Sequence, residues 1–266
     1  MSEGLGALAS IAARKALEAE RLRCAGAGMW AKAEALPAAR DMAVLRGGAV
    51  IAEMKRRSPS GGELRSALDP VSLAREYQAG GAAALSVLTD GPSFGGSLDD
   101  LHAVRAVADI PLLRKDFVLD PVQVAEARVA GADWVLLIVA LLDSALLDEC
   151  LDAVRRCGAH ALVEGHDADE VRRAVDAGAE CVGINNRDLR TLTVDLGTFS
   201  RLRPLVPDGV ICVAESGVRS PDDARRMVSE GADAVLVGEA MLRAESPGAA
   251  CGELAQAARA AAGTQP

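Results

Sequence analysis

Aromatic side chains are nearly missing from this sequence: three Phe, two Trp and one Tyr among 266 residues, 2% of the chain. Half the residues are hydrophobic all the same, so the core has to be aliphatic, built from Ala, Val, Leu and Ile. Six cysteines are present, but none stands in a CxxC spacing. That argues against a zinc site or a disulfide framework and for buried free thiols in a reducing compartment. The three histidines show no paired spacing, so no metal is expected. No stretch approaches the roughly 18 apolar residues of a membrane span, and the N-terminus carries no apolar run of the signal-peptide type. The expected compartment is the cytoplasm. A net charge of −9 speaks against a nucleic-acid partner. It leaves room for a local Lys/Arg cluster that holds a phosphorylated small molecule.

What is present is a rhythm. From residue 49 onward an apolar run is followed by a polar loop, a helical segment rich in Ala and Arg, a Gly-Ala joint and the next apolar run. The joints Gly81-Ala82, Gly131-Ala132, Gly158-Ala159, Gly178-Ala179 and Gly231-Ala232 suit helix C-termini that need a left-handed residue. Strands are predicted at 50–55, 83–88, 111–115, 134–139, 160–164, 181–185, 210–214 and 234–238. Their spacing fits βα units with right-handed crossovers, and eight of these close into a (β/α)8 TIM barrel of the α/β class. An open doubly wound sheet is the competitor, weakened because no GxGxxG follows the first strand. The expected organisation is one domain over 1–266: a barrel at 49–262 and a helical extension at 1–48 that caps it. That extension reads as mostly helix over 5–35, broken at Gly26 and Gly28. Its stripe of Leu5, Leu8, Ile11, Ala12 and Ala16 is spoiled by Lys15 inside it and Leu17 outside it.

Polar residues collect at one end of the strands. The first ends in Glu53 and Lys55, which period two places on one face together with Arg57. The third ends in Arg114-Lys115-Asp116, the fifth in Glu164, the sixth in Asn185-Asn186-Arg187, the seventh in Glu215-Ser216-Gly217 and the eighth in Gly238-Glu239. In a TIM barrel that end is the active-site face. Two lysines and three carboxylates converging there supply acids and bases whose pKa values burial can tune. The glycine-bearing seventh and eighth loops read as a phosphate cradle of main-chain N–H groups, with Lys55 adding charge. Phe94 and Phe117 sit in loops past strand ends, where an aromatic reads as the wall of an apolar pocket. The alternative for Lys115 is a structural bridge to Asp116 or another carboxylate. His166 reads as a cap or surface residue, and His102, His160, Trp30 and Trp134 as structural.

Seven segments carry a resemblance: IAEMKRRSPSGG (51–62), LSVLTDGPSFGGS (85–97), PLLRKDFVLD (111–120), ALVEGHD (161–167), VGINNRDLRTL (182–192), VAESGV (213–218) and AVLVGEAM (234–241). Together, and in this order, they resemble indole-3-glycerol phosphate synthase, an enzyme of tryptophan biosynthesis. The resemblance implies conversion of 1-(2-carboxyphenylamino)-1-deoxyribulose 5-phosphate to indole-3-glycerol phosphate, losing CO2 and water without a cofactor. It implies Lys115 as the acid on the ketone oxygen, Glu164 as the base, and Glu53 and Lys55 sharing the dehydration. Substrate contacts would come from Ser58 and Ser60 of a mobile first loop and from Asn185 and Glu215. Arg187 would brace its loop. Phe94, Phe117, Leu136 and Leu189 would line the aryl pocket. The phosphate would fall to Lys55, Ser216, Gly217, Gly238 and Glu239, the last with its side chain turned outward.

Two other readings compete. Another phosphosugar barrel, such as phosphoribosylanthranilate isomerase, would place a Cys/Asp pair at strand ends, and the first strand here ends without Cys. A non-catalytic phosphate-binding barrel would have no use for Lys115 and Glu164. The chain is expected to act as a monomer or weak homodimer.

Overall fold

The computed structural model describes residues 3–25, 27–59 and 61–263, with only the backbone described at 3–8, 25 and 27. Gly26, Ser60 and the side chains of Leu5 and Leu8 therefore lie outside the described residues.

Eight parallel strands close into a barrel: β1 (Ala49–Met54), β2 (Ala84–Leu88), β3 (Leu112–Lys115), β4 (Trp134–Ile138), β5 (His160–Gly165), β6 (Cys181–Asn185), β7 (Ile211–Glu215) and β8 (Ala234–Val237). Each lies within one residue of its sequence-based bounds. Consecutive strands pair in parallel, and β1 pairs with both β2 and β8 to complete the ring. The strands are apolar on both faces because both faces are covered. One set of side chains, including Ile51, Leu113, Leu162 and Val213, fills the lumen, while Val50, Val135, Val163 and Val235 pack outward against the helices.

The helices start where the sequence supplies a cap. Asp69, Asp143 and Asp167 each accept main-chain N–H groups of the next turn, and Ser220 with Asp223 forms a reciprocal capping box. They end on the expected glycines: Gly131 has φ +97° and Gly231 φ +103°, values a side chain would strain.

The extension does more than cap. Its first helix, Glu3–Ala25, lies over the loops that follow β2 and β3, where Lys15 Nζ reaches Asp116 Oδ1 at 2.7 Å and Asp90 Oδ1 at 3.4 Å. That is why a lysine interrupts the stripe: it is 4% exposed and paired, whereas Leu17 is 57% exposed and Ala16 also faces solvent. A second helix, Ala27–Glu34, runs down the barrel flank, where Trp30 lies 4.3 Å beneath the Arg156 guanidinium. The chain then reaches the opposite end, where a 3-10 turn, Met42–Leu45, plugs the floor of the lumen beside the fully buried Trp134. Main-chain N–H groups of Gly48 and Ala49 bond Asp233 O, both at 3.0 Å, and start β1. Among the described residues all cysteines are free thiols, five buried and Cys24 exposed.

Candidate active site

In this barrel the odd-numbered strands carry one layer of charge. Glu53 on β1, Lys115 on β3, Glu164 on β5 and Glu215 on β7 each stand two residues beyond a lumen-filling aliphatic: Ile51, Leu113, Leu162 and Val213. Period two alone sends them to the same interior, and alternate strands feed one layer of a TIM barrel. They arrive at its C-terminal mouth, in a cavity of about 1360 Å³.

Lys115 is the hub. Its ammonium lies 3.1 Å from Glu164 Oε2 and makes a still closer contact with Glu215 Oε2. Burial works against its charge, but Glu215, Glu164 and Glu53 outweigh it, so its pKa is raised. It bridges Glu164 and Glu215 and leaves Asp116, which turns the other way to Thr89, Arg114 and Lys15. Glu164 is also buried, yet Lys115, His166 and Asn185 hold its carboxyl well below the usual range. Asn185 Nδ2 donates to Glu164 Oε1 at 3.0 Å and, through Oδ1, accepts the N–H of Arg187 at 3.0 Å. Glu215 differs: burial and the neighbouring Glu164 push it up to about 8 despite Lys115. One ammonium cannot fully compensate two buried carboxylates. The two carboxyls are therefore shifted in opposite directions, Glu164 down and Glu215 up.

Lys55 Nζ contacts Glu53 Oε1 at 2.5 Å. Arg57 does not share their face. β1 stops at Met54 and the chain bends into a hairpin, Arg57–Ser58 against Gly62–Glu63. The Arg57 guanidinium bonds Gly91 O and Pro92 O instead, both at 3.0 Å. Arg56 anchors the same loop, gripping Asp100 at 2.6 and 3.0 Å and Gly95 O at 2.8 Å.

Apart from Ser60, every residue to which the resemblance gives a catalytic, substrate or phosphate role lines this cavity: Glu53, Lys55, Ser58, Phe94, Lys115, Phe117, Leu136, Glu164, Asn185, Arg187, Leu189, Glu215, Ser216, Gly217, Gly238 and Glu239. The rings of Phe94 and Phe117 are 6.2 Å apart. Ser58 Oγ accepts Gly61 N–H at 2.9 Å, within its own loop. Arg187 donates to Leu192 O and bridges to Val194, tying the loop after β6. Ser216 and Gly217 have φ of +61° and +89°, an unfavourable turn for Ser216 of the kind that collects at functional sites. The Glu239 carboxylate is turned to Arg243 Nε at 2.9 Å, and Arg243 also bonds Gly61 O of the first loop.

Three contributors escaped the sequence reading. Ile11 of the leading helix lines the cavity. Gly183 faces Glu215, and a glycine inside a strand is itself a signal of close approach. His166 is neither a surface residue nor a cap: its Nε2 is 3.1 Å from Glu164 Oε1 and its Nδ1 2.9 Å from Glu170 Oε2. Period two from Glu164 was the available signal.

Two solved structures resemble the fold at 18% and 16% identity. They are a thiamine phosphate pyrophosphorylase from Pyrococcus furiosus (TM-score 0.63, covering 82% of this chain and 98% of that one) and an N-acetylmannosamine-6-phosphate 2-epimerase from Clostridium perfringens (TM-score 0.59, 76% and 90%). The sequence is far closer to proteins named indole-3-glycerol phosphate synthase. It is 59% identical to that of Nocardioides sp. over 76% of this chain and 77% of the relative. It is 47% identical to that of Mycobacterium leprae over 95% and 92%. The profile of the same family matches residues 13–254, a span that takes in the leading helix from before Lys15 and all eight strands. With the charged layer inside that span, the chain belongs to the indole-3-glycerol phosphate synthase family.

Proposed function

We propose that the chain performs the ring closure its family is named for, with the charged layer supplying the acid and the base. The carrying observation is Lys115, a buried ammonium held between Glu164 and Glu215 in a cavity with an apolar wall. The substrate, 1-(2-carboxyphenylamino)-1-deoxyribulose 5-phosphate, has an aryl ring, a carboxylate, a ketone, hydroxyls and a phosphate. Phe94, Phe117, Leu136 and Leu189 receive the ring. Asn185, Glu215 and Ser58 take the carboxylate side and hydroxyls, with Ser60 on the same loop. The turn at Ser216-Gly217 and the helix start at Gly238-Glu239 offer N–H groups to the phosphate, and Lys55 adds its charge.

The ring carbon bearing the carboxylate attacks the ketone. A C–C bond forms, the carbonyl pair moves to oxygen, and Lys115 gives that oxygen a proton. A developing alkoxide is basic enough to take it from an ammonium held above its ordinary pKa. CO2 then departs, leaving its bonding pair to the ring and restoring aromaticity. In the last step the hydroxyl leaves as water with a proton from the Lys55–Glu53 pair, while Glu164 accepts the amine-side proton. No cofactor enters these steps. Every named group comes from one chain, which fits a monomer or weak homodimer. Ile11 in the cavity wall supports reading the 1–48 extension and the 49–262 barrel as one working unit. Among the described residues no helix is long and apolar enough to cross a membrane, and a phosphorylated substrate favours the cytoplasm.

The test is the growth of indole fluorescence on adding this substrate, for wild type and Lys115→Ala. Turnover in the wild type with a loss of roughly 100-fold or more in the variant, the scale of a removed general acid, is expected. Binding without indole product would favour a phosphate-ligand-binding barrel. Turnover surviving in the variant would move the acid role to Lys55.

A further inference from the structure

His166 does not line the cavity, yet it touches a group that does. It follows β5 directly, two residues past Glu164, and the helix Ala168–Asp176 begins just after it. Glu170 on that helix binds it twice: Oε2 accepts the main-chain N–H of His166 at 2.8 Å and lies 2.9 Å from its Nδ1. A carboxylate in that position only accepts, so Nδ1 carries a hydrogen. On the far side Nε2 is 3.1 Å from Glu164 Oε1. A bare nitrogen lone pair there would face the lone pairs of an anion, so Nε2 carries a hydrogen too. The contact is bent, an ion pair rather than a linear hydrogen bond, since Nε2 has no well-formed partner. Asp188 in the loop after β6 also faces the ring, and Lys115 and Glu215 face its partner Glu164.

We propose that His166 is a positioning residue: clamped by Glu170, its imidazolium fixes Glu164 at the orientation from which that carboxylate accepts the amine-side proton. The clamp is short and local. Glu170 sets the ring, and the ring meets the carboxylate oxygen that Asn185 also holds. Burial opposes the charge, but the ion pair with Glu164 and the hydrogen bond to Glu170 outweigh it and raise the imidazole to about 10, so it stays cationic through neutral pH. Glu164 is thereby pinned from three sides by Lys115, Asn185 and His166, and only the first two lie in the cavity wall.

This rests on Glu164 as the base, and the experiment separates the two. Steady-state kinetics of indole formation would be measured for His166→Gln, His166→Leu, Glu170→Gln, Glu164→Gln and the double variant His166→Gln/Glu164→Gln. A misplaced group costs up to about 100-fold. His166→Gln is expected to lower kcat by roughly 10-fold or more with KM changed by less than about 3-fold, His166→Leu by more, and Glu170→Gln in the same direction but less. In the Glu164→Gln background the His166 change should add nothing, because the two act as one unit. Unchanged kcat in the folded His166 and Glu170 variants, or a full additional loss in the double variant, overturns the proposal. If the His166 variants fail to fold, Glu170→Gln decides alone: a kcat loss supports the clamp and none removes it. Full turnover in Glu164→Gln would instead sink the base assignment itself.

Discussion

A Cβ placed on Gly183 would lie 2.1 Å from Oε1 of Glu215 and 3.2 Å from Cδ1 of Leu162. Gly183 and Glu215 sit on adjacent strands, β6 and β7, both aimed into the lumen, and the carboxylate occupies the space a side chain would need. Gly183→Ala should displace Glu215 and deprive Lys115 of its closest partner. The expected result is a fall of roughly 10-fold or more in kcat/KM, with about 1–3 kcal/mol of overpacking seen in urea unfolding. Full activity in this variant would mean that Glu215 can move without consequence.

Glu215 also predicts a pH dependence of stability. Its carboxyl is raised from 4.5 to about 8, by burial first and by Glu164 second. Between those values the folded chain holds a proton that the unfolded chain has released. The site's contribution is therefore full at the acid end and is lost as pH rises through the folded value. Glu215→Gln removes that proton. The difference in urea midpoint, variant minus wild type, should shift in the variant's favour from about pH 5 to about pH 9. A constant difference across that range would count against a raised Glu215.

Among the described residues, Lys15 is the one buried side chain through which the leading helix reaches both Asp90 and Asp116. Asp90 caps the short turn that carries Phe94, and Asp116 Oδ1 accepts the N–H of Phe117 at 2.8 Å. Lys15→Met should cost about 3–5 kcal/mol, the scale of a broken buried ion pair. KM should rise as Asp116, beside Phe117, loses its 2.7 Å partner, while Asp90 keeps Arg14 at 2.7 Å. Stability loss with an unchanged KM would confine Lys15 to a structural role.

Trp134 tests the opposite end of the barrel. It fills the floor of the lumen, fully buried, with Nε1 donating to Arg40 O at 2.7 Å. Trp134→Ala should cost about 3–5 kcal/mol by urea unfolding. The surviving folded fraction should turn over with a kcat/KM within about 2-fold of wild type, since this face carries stability rather than chemistry. A catalytic collapse greater than that would show the two faces to be coupled.

Local features of the fold follow from the order of residues alone. Strand positions followed from apolar runs between polar loops, and the helix ends from glycines at the joints. The active-site rim followed from polar residues loaded at one end of each strand. These signals depend on chain neighbours and on period two, so they need no tertiary information. The family could be read for the same reason, since its motifs are those strand ends. Ring closure decided the rest. It chose Glu164 and Glu215, 49 and 100 residues from Lys115, over the adjacent Asp116. It sent Arg57 out to Gly91 and Pro92 and drew His166 in toward Glu164. It also turned an ill-placed Lys15 into the pin between helix and rim. The opposite pKa shifts of Glu164 and Glu215 were decided there too, because desolvation and mutual repulsion depend on distance and burial, and neither is encoded in residue spacing.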